Sequence, residues 1–344
     1  MTTDSSPQQL PPHVQLMGVV AAKWLAQPLY AIAKLGIADH LDGTARTAEE
    51  LAELTGVRPG PLGRCLRAAA ALSVLTEDDK GRFRLRPMGE ALRSEVPCSV
   101  RDFTILLGEE PVWSSFGSIM HTLRTGEPAF DMVHGKGLFD YLAEDPELSR
   151  VYQGAWASLT EELAPEAVEL FDFTRFPVIA DIGGGHGRML QHILRACPDS
   201  SGVLMDRQEV VAAARERLQG QPEASRLSFV AGSLPQSSPP PADAYLLKNT
   251  LHCFDDDDAL AMLLPLAAAL RDRPGARLLV IETVVPEGNT YDWSKFIDIE
   301  VMVNNGGRER TLEQWRTLLG AAGLALVGTT RITPPQWILE AAQA

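Results

Sequence analysis

The chain has 344 residues, of which 45% are hydrophobic, and its 31 basic and 45 acidic side chains give a formal net charge of −14. This length exceeds what one hydrophobic core usually serves, so two domains are expected. A field of this sign repels nucleic-acid phosphates and anionic membranes, which argues against either as a partner.

The first residues, MTTDSSPQQLPP, are polar and proline-rich and lack the basic and apolar regions of a signal peptide. We expect a disordered tail over residues 1–12. The four cysteines form no CxxC pair, which argues against a zinc or redox motif. No uninterrupted apolar run reaches about 18 residues, so no membrane span is expected. We therefore expect a protein of the reducing cytoplasm with free thiols.

The chain from His13 to about Leu170 is predicted to be mainly helical. Thr47, followed three residues later by Glu50, is typical of a capping box. The apolar helix GPLGRCLRAAAALSVL and the hairpin TEDDKGRFRLRP come next. Helix, turn, helix and hairpin together predict a winged-helix unit at about 33–87. Because its second helix offers only Arg64 and Arg67 as cations, we expect burial against another helix or subunit rather than DNA binding.

After Phe176 the pattern changes to short apolar runs separated by helical segments. The runs are VIADIG, GVLMD, LSFVAG, AYLLKN and RLLVIE. This alternation predicts βαβ units in an α/β domain with a mostly parallel, doubly wound sheet, beginning near 165–176. Two final runs, LALVGTTRI and QWILEAA, are expected to pair antiparallel at one edge.

The segment VIADIGGGHGRML places Asp181, Gly183 and Gly185 at a strand-to-helix turn. Glycines there allow a sharp turn and the close approach of a ligand. Asp206 ends the next strand, where a carboxylate can accept both hydroxyls of a ribose. A nucleoside-bearing ligand is therefore predicted. NAD or FAD is the rival, but the third glycine of its fingerprint is replaced by Arg188, and a turn without a ligand is the remaining alternative.

Five segments resemble class I S-adenosylmethionine-dependent O-methyltransferases of the plant caffeate type and the bacterial polyketide type. They are LRTGEPAFDMVHGKGLFDYLAEDPELSRVY, IADIGGGHG, LLKNTLHCFDDDDALAML, LLVIETVVPEG and NNGGRERTLEQWRTLLGAAGL. The resemblance covers nearly the whole chain. It implies a winged-helix dimerisation domain over 13–100, linking and pocket-forming helices over 101–170, and a Rossmann-like methyltransferase domain over 171–344.

The same resemblance implies S-adenosylmethionine as the cofactor and S-adenosylhomocysteine as its product. It also implies a homodimer through the N-terminal domain and a small-molecule acceptor, without a nucleic-acid or membrane partner. The matched cofactor residues are Asp181, Gly183, Gly185, Asp206, Gly232, Ser233, Leu234 and Lys248. The run Gly232-Ser233-Leu234 departs from the family's Gly-Asp-Phe or Gly-Asp-Met, whose aspartate holds the adenine, and this leaves Asp206 as the principal polar anchor.

His252 matches the family's catalytic histidine, which implies that it is the general base. Glu282 in LLVIETVVP and Glu309 in GGRERT match the supporting carboxylates. Cys253 and Phe254 replace the Asp-Trp that usually follows the histidine, so the surroundings of this histidine are not standard.

No metal is expected, since the run Asp255–Asp258 would cap and charge the first turn of the following helix. The resemblance further implies an acceptor pocket whose aromatic and methionine side chains suit a flat molecule. Its candidate residues, each equally compatible with core packing, are Trp113, Phe116, Met120, Phe130, Tyr152, Trp156, Phe296, Met302 and Asn305.

We therefore expect methylation of a phenolic or other hydroxyl of a small aromatic natural product. The same fold and cofactor also serve N- or C-methylation, hydroxylation and pericyclic chemistry, although a retained base argues against reactions that need no proton removal. A ligand-sensing winged-helix transcription factor is the alternative from another class, and it would require a basic recognition helix.

Overall fold

The computed structural model describes residues 10–344, so the predicted tail lies outside the described residues apart from its last three positions. Contacts between Cα atoms divide the chain into two compact units, Met1–Glu109 and Glu110–Ala344. Most of the predicted linking helices thus belong to the second unit. The predicted limits of the three domains stay predictions.

The first unit consists of helices around a small antiparallel sheet of strand order β1-β3-β2. The predicted capping box begins α4, where Thr47 Oγ1 accepts from the N–H of Glu50 and the Glu50 carboxylate accepts from the N–H of Thr47. The predicted hairpin is confirmed as β2 and β3. The elements are α1 (Pro12–Val20), α2 (Lys23–Lys34), α3 (Ile37–His40), β1 (Arg46–Thr47), α4 (Ala48–Thr55), α5 (Pro59–Ala71), β2 (Leu75–Glu77), β3 (Arg82–Leu85), α6 (Pro87–Glu90) and α7 (Arg101–Gly108).

Helix α5 differs from α1 and α2 in how far its apolar side chains are covered. Leu62 and Leu66 of α5 are buried, because α5 packs against α2 and α4, as the sequence predicted for this helix. In contrast, Val19, Val20 and Trp24 of α1 and α2 are at least 70% exposed. The helical stretch Pro12–Lys34 is long and apolar enough to cross a membrane by length and composition, which is weak evidence for a span. Contiguous exposed apolar side chains are typical of surfaces that contact a partner or a membrane.

The second unit is a sheet of seven strands with helices on its faces. Its helices are α8 (Glu110–Gly117), α9 (Ile119–Thr125), α10 (Ala129–His134), α11 (Leu138–Glu144), α12 (Pro146–Leu170), α13 (Arg188–Ala196), α14 (Gln208–Leu218), α15 (Asp256–Asp272), α16 (Ser294–Asn305) and α17 (Leu312–Ala321). Its strands are β4 (Val178–Ile182), β5 (Ser201–Asp206), β6 (Leu227–Ala231), β7 (Ala244–Lys248), β8 (Arg277–Thr283), β9 (Leu324–Arg331) and β10 (Gln336–Gln343).

The strand order is β6-β5-β4-β7-β8-β10-β9, with β4 to β8 parallel and β10 antiparallel to both of its neighbours. The predicted α/β architecture and the predicted antiparallel pair are both confirmed. Because carboxyl ends of parallel strands share one edge of a sheet, the residues that end β4, β5, β7 and β8 come together there. These include Asp181, Asp206, Lys248 and Glu282.

Candidate active site

A cavity of about 340 Å³ lies at this edge of the sheet. All eight side chains or glycines predicted to bind the cofactor line it, together with His252. The structure therefore brings together residues that are up to 71 positions apart in the sequence.

The glycine loop after β4 requires its glycines. Gly183, Gly185 and Gly187 have φ angles of 69°, 56° and 72°, in the left-handed region that side chains other than glycine rarely adopt. A Cβ on Gly184 would lie 2.5 Å from the Asp181 carboxylate. The loop thus holds its backbone against the cavity and leads into α13.

Asp181 is a buried carboxylate without a hydrogen-bond partner for either oxygen in residues 10–344. Burial, helped by the charge of Asp206 and opposed by Lys248, raises its pKa to about 7. A buried carboxylate with both oxygens available is suited to a cationic group such as an ammonium.

Asp206 is placed differently. Its Oδ2 accepts a hydrogen bond from the backbone N–H of Gly185 at 2.8 Å, and its Oδ1 accepts one from the backbone N–H of Arg207 at 2.7 Å. An ionised carboxylate has about four acceptor sites, so capacity remains for two hydroxyl groups. At Gly232 a Cβ would lie 2.8 Å from side-chain atoms of Met205 and Ser237, so a larger residue there would force these side chains to shift. Asp181 offers a buried anion for an ammonium group, Asp206 offers acceptors for ribose hydroxyls, and Gly232 leaves room for a ring. These features together fit S-adenosylmethionine.

His252 lies in a short 3-10 helix, Leu251–Cys253, and is 5% exposed. Its Nδ1 is 2.7 Å from Oε1 of Glu309 and 3.9 Å from Oε2 of Glu282. Burial opposes a charged imidazolium, but the acidic neighbours Cys253, Glu282 and Glu309 outweigh it and hold the pKa of His252 well above its usual value. The ring is thus a stronger base than a free histidine.

Glu282 contacts the backbone of the same turn. Its Oε1 accepts hydrogen bonds from the N–H groups of Thr250 and Leu251, both at 2.8 Å. Burial is the largest cause that raises the pKa of this carboxyl, although His252 lowers it. Glu282 therefore fixes the turn, whereas Glu309 contacts the ring.

The segment Gly307–Arg310 closes the turn from the other side. A Cβ on Gly307 would collide with the carbonyl oxygen of His252, and the N–H of Arg308 donates to that oxygen at 2.9 Å. The buried guanidinium of Arg310 donates to the carbonyls of Leu251 and Phe254, each at 3.1 Å. Sequence reasoning did not assign this role to Arg310, although its place in GGRERT was the available signal.

The aspartate run behaves as a helix start. Asp255 precedes α15 and its carboxylate accepts from the N–H of Asp258 at 2.9 Å, as predicted. Asp256 pairs with Arg308 and Arg310, both at 2.9 Å. A different group, His252 with Glu282 and Glu309, has ligand-type atoms within 4.8 Å of one another, but the short Nδ1–Oε1 contact already uses two of them. The expectation of no metal stays a prediction.

Two of the nine predicted acceptor residues, Tyr152 and Trp156, line the cavity. Their rings meet edge-on, with centroids 5.9 Å apart, and Phe139 adds a third ring 6.2 Å from Tyr152. The other seven do not line it. Phe130, on α10, is fully buried among other rings, and Phe296, on α16, is 51% exposed. The remaining five lie on α8, α9 and α16; they are Trp113, Phe116, Met120, Met302 and Asn305. A role of these seven residues in binding an acceptor stays a prediction.

Sequence reasoning also missed several residues of the wall. Asn249 has a φ of 49°, unusual for a residue other than glycine, and its Oδ1 is buried without a partner in the described part of the chain. The other missed residues that line the cavity include Phe139, Gln153, Arg207, Val210, Thr250 and Met262. Phe139, Asn249, Thr250 and Met262 lie in segments that resemble the family, but the sequence assigned them no role, and Gln153, Arg207 and Val210 lie outside those segments.

Comparison with known proteins identifies the family. Residues 113–325 match the O-methyltransferase domain and residues 17–95 match the O-methyltransferase dimerisation domain. The chain belongs to this O-methyltransferase family. It is an S-adenosylmethionine-dependent methyltransferase, which sets aside the transcription-factor alternative.

Its relatives are methyltransferases that are named for different acceptors. The chain is 36% identical to the phenazine O-methyltransferase PhzM of Lysobacter antibioticus, with 95% of each chain covered. It is 38% identical to the 8-amino-8-demethylriboflavin N,N-dimethyltransferase of Streptomyces davaonensis, with 87% of this chain and 86% of the relative covered. A solved O-methyltransferase from neocarzinostatin biosynthesis, in complex with S-adenosylmethionine and 2-hydroxy-5-methyl naphthoic acid, has a TM-score of 0.81 and 29% identity, over 93% of this chain and 96% of that one.

Proposed function

We propose that the chain methylates a hydroxyl oxygen of a small aromatic acceptor, with His252 as the general base. The observation that carries the proposal is the 2.7 Å contact between Nδ1 of His252 and Glu309 in a buried site. With Nδ1 held by a carboxylate, Nε2 is the nitrogen left to accept a proton. A carboxylate in this position orients the ring and stabilises the imidazolium that forms.

The cofactor supplies an electrophilic methyl group on a sulfonium when it is bound. In this proposal Asp181 would hold the ammonium group of the cofactor, and Asp206 would accept hydrogen bonds from its ribose hydroxyls. Residues Gly232 to Leu234 would contact its adenine. What the chain must add is alignment of the acceptor oxygen, which can supply about 7–11 kcal/mol through proximity and orientation. The edge-on rings of Tyr152 and Trp156 suit a flat acceptor.

Proton removal explains why a base is present. A phenol with a pKa of about 10 and a free histidine of about 6.5 differ by about 3.5 units, or about 5 kcal/mol for full transfer. The raised pKa of His252 narrows this gap. From the state with a neutral imidazole and a neutral phenol, Nε2 of His252 accepts the phenol proton as the new bond to oxygen forms.

Glu309 and Glu282 position His252 in different ways in this proposal. Glu309 orients the imidazole directly, since it lies 2.7 Å from Nδ1. Glu282 acts through the backbone, because its Oε1 accepts from two N–H groups of the turn that carries His252. Both are positioning residues, and only His252 would touch the reacting hydroxyl.

N-methylation is the second candidate, because one relative at 38% identity is named as an N,N-dimethyltransferase. A neutral aromatic amine already has a lone pair for attack and needs no proton removal beforehand. A base that is buried and held by a carboxylate therefore favours a hydroxyl over an amine as the acceptor.

The deciding experiment uses isotopically labelled S-adenosylmethionine with matched phenols and anilines, read by mass spectrometry. Products methylated at oxygen are expected. Products methylated only at nitrogen would refute the proposal.

We also propose that the enzyme is a homodimer. The first unit contains the match to the dimerisation domain, and the exposed apolar side chains of α1 and α2 lie in or beside it. A second copy that covers these side chains would remove them from water.

A further inference from the structure

Arg188 is a cation in the wall of the cofactor cavity that has no role in the reaction described above. It is the first residue of α13, directly after the glycine loop, and it lines the cavity. Its side chain is 36% exposed, and its Nη1 donates to Oε1 of Glu161 at 2.9 Å. Within residues 10–344 its Nε is buried without a partner and its Nη2 makes no hydrogen bond. Two of its three nitrogen atoms are therefore left with donors to spare.

These two nitrogen atoms form one edge of the guanidinium group. Along that edge the N–H bonds of Nε and Nη2 run parallel, and a carboxylate can accept both of them at once. The contact of Nη1 with Glu161 holds the opposite side of the group and leaves this edge unused. A buried donor without a partner is unfavourable, and a carboxylate on a bound ligand would relieve it.

The start of α13 also favours an anion at this place. Its N-cap residue, Gly187, makes no side-chain cap, and its first turn contains no acidic residue. The N–H groups of such a turn carry a partial positive charge that attracts anions. Met189, the next residue of the helix, lines the cavity too. The wall therefore combines the charge of a guanidinium with the positive end of a helix.

Two further cations of this cavity are already engaged or lie elsewhere in it. The charge of Lys248 acts on two carboxylates, Asp181 and Glu282. Arg207 follows Asp206, the proposed partner of the ribose, and its Nε pairs with Glu209 at 3.4 Å. Arg188 instead lies at the glycine loop, which begins just after Asp181.

We propose that Arg188 binds the carboxylate of the methionine portion of S-adenosylmethionine. The ammonium and the carboxylate of that portion are attached to one carbon atom, so their partners must lie close together. Asp181 and Arg188 stand at the two ends of the glycine loop and both line the cavity, which suits such a pair of opposite charges. Arg188 then fixes the methionine end of the cofactor as Asp206 fixes the ribose.

The test is a binding measurement that does not depend on turnover. Calorimetry gives the affinity of the enzyme for S-adenosylhomocysteine and for its decarboxylated analogue, which keeps the ammonium but lacks the carboxylate. We expect the wild type to bind S-adenosylhomocysteine about tenfold or more tightly than the analogue, the scale of a hydrogen bond to a charged group. Adenosine, which lacks the whole methionine portion, reports on the ribose and adenine contacts alone.

Arg188→Gln removes the charge and the parallel donors. It should reduce the preference for the carboxylate to about threefold or less and leave the affinity for adenosine unchanged. Arg207→Gln is the matched control, because Arg207 lines the same cavity and its side chain is also 36% exposed. This variant should keep the full preference.

Three results would overturn the inference. They are equal binding of the two ligands by the wild type, a preference that survives Arg188→Gln, and an equal loss of preference in Arg207→Gln. A parallel loss of adenosine binding in Arg188→Gln would make Arg188 a structural residue and would contradict the inference as well.

Discussion

Replacing His252 with alanine removes the imidazole that lies 2.7 Å from Glu309. Loss of a positioned general base lowers rates by about 10²–10⁴-fold, and we expect a loss of that size for a neutral phenol. Affinity for S-adenosylhomocysteine should hardly change, because Asp181 and Asp206 make no hydrogen bond to His252. Glu309→Gln should cost less, about tenfold or somewhat more, since the ring stays and only a charge-assisted contact is lost.

The size of the loss should follow the acidity of the acceptor. A phenol whose pKa lies below the pH of the experiment arrives ionised, so the defect of His252→Ala should shrink with it. The wild-type rate on a neutral phenol should rise with pH, because only the neutral imidazole accepts a proton. Its midpoint should lie above 6.5, since the pKa of His252 is raised.

Single-turnover rates for a series of phenols of increasing acidity measure this dependence, with binding followed by calorimetry. His40→Ala, in the first unit, serves as the matched histidine control. If His252→Ala methylates a neutral phenol at nearly the wild-type rate, His252 is only a structural residue.

Three further outcomes are expected. Asp206→Ala should weaken binding of S-adenosylhomocysteine about tenfold or more by removing a charged acceptor, and unchanged affinity in calorimetry would contradict its assignment. Because the pKa of Asp181 is about 7, its carboxylate becomes neutral as pH falls below that value. Affinity for S-adenosylmethionine should then fall by at most about tenfold per pH unit, and Asp181→Asn should flatten the curve in the same titration. Trp24, which is 70% exposed, should lie in the dimer interface. Light scattering should give a dimer for the wild type and a monomer for Trp24→Glu, and a monomeric wild type would refute the interface.

The strands of the second unit were predictable because their signals are local. Each parallel strand is a short apolar run, and each run matches a strand from β4 to β8. The position of β10 between β8 and β9 was not predictable. Two adjacent antiparallel runs can join an edge in either order, and the choice depends on packing that no single run encodes.

The cofactor residues were predictable for a different reason. Strand ends share one edge of a parallel sheet, so positions in the sequence translate directly into positions in space. This rule does not predict which carboxylate contacts the base, because the side chains of Glu282 and Glu309 both lie within 4 Å of Nδ1 of His252. The close approach of Gly307 to the His252 carbonyl places Glu309 beside the ring.

The structure also explains how this turn accommodates Cys253 and Phe254, where resembling enzymes have Asp-Trp. The turn is held through its backbone, by Glu282 at its N–H groups and by Arg310 at the carbonyls of Leu251 and Phe254. Neither set of contacts involves the side chain of residue 253 or 254. The backbone of the turn is therefore held without those two side chains, while Cys253 also hydrogen-bonds to the side chain of His252. Cys253 lines the cavity beside His252, so a change there alters both the wall of the cavity and the surroundings of the base.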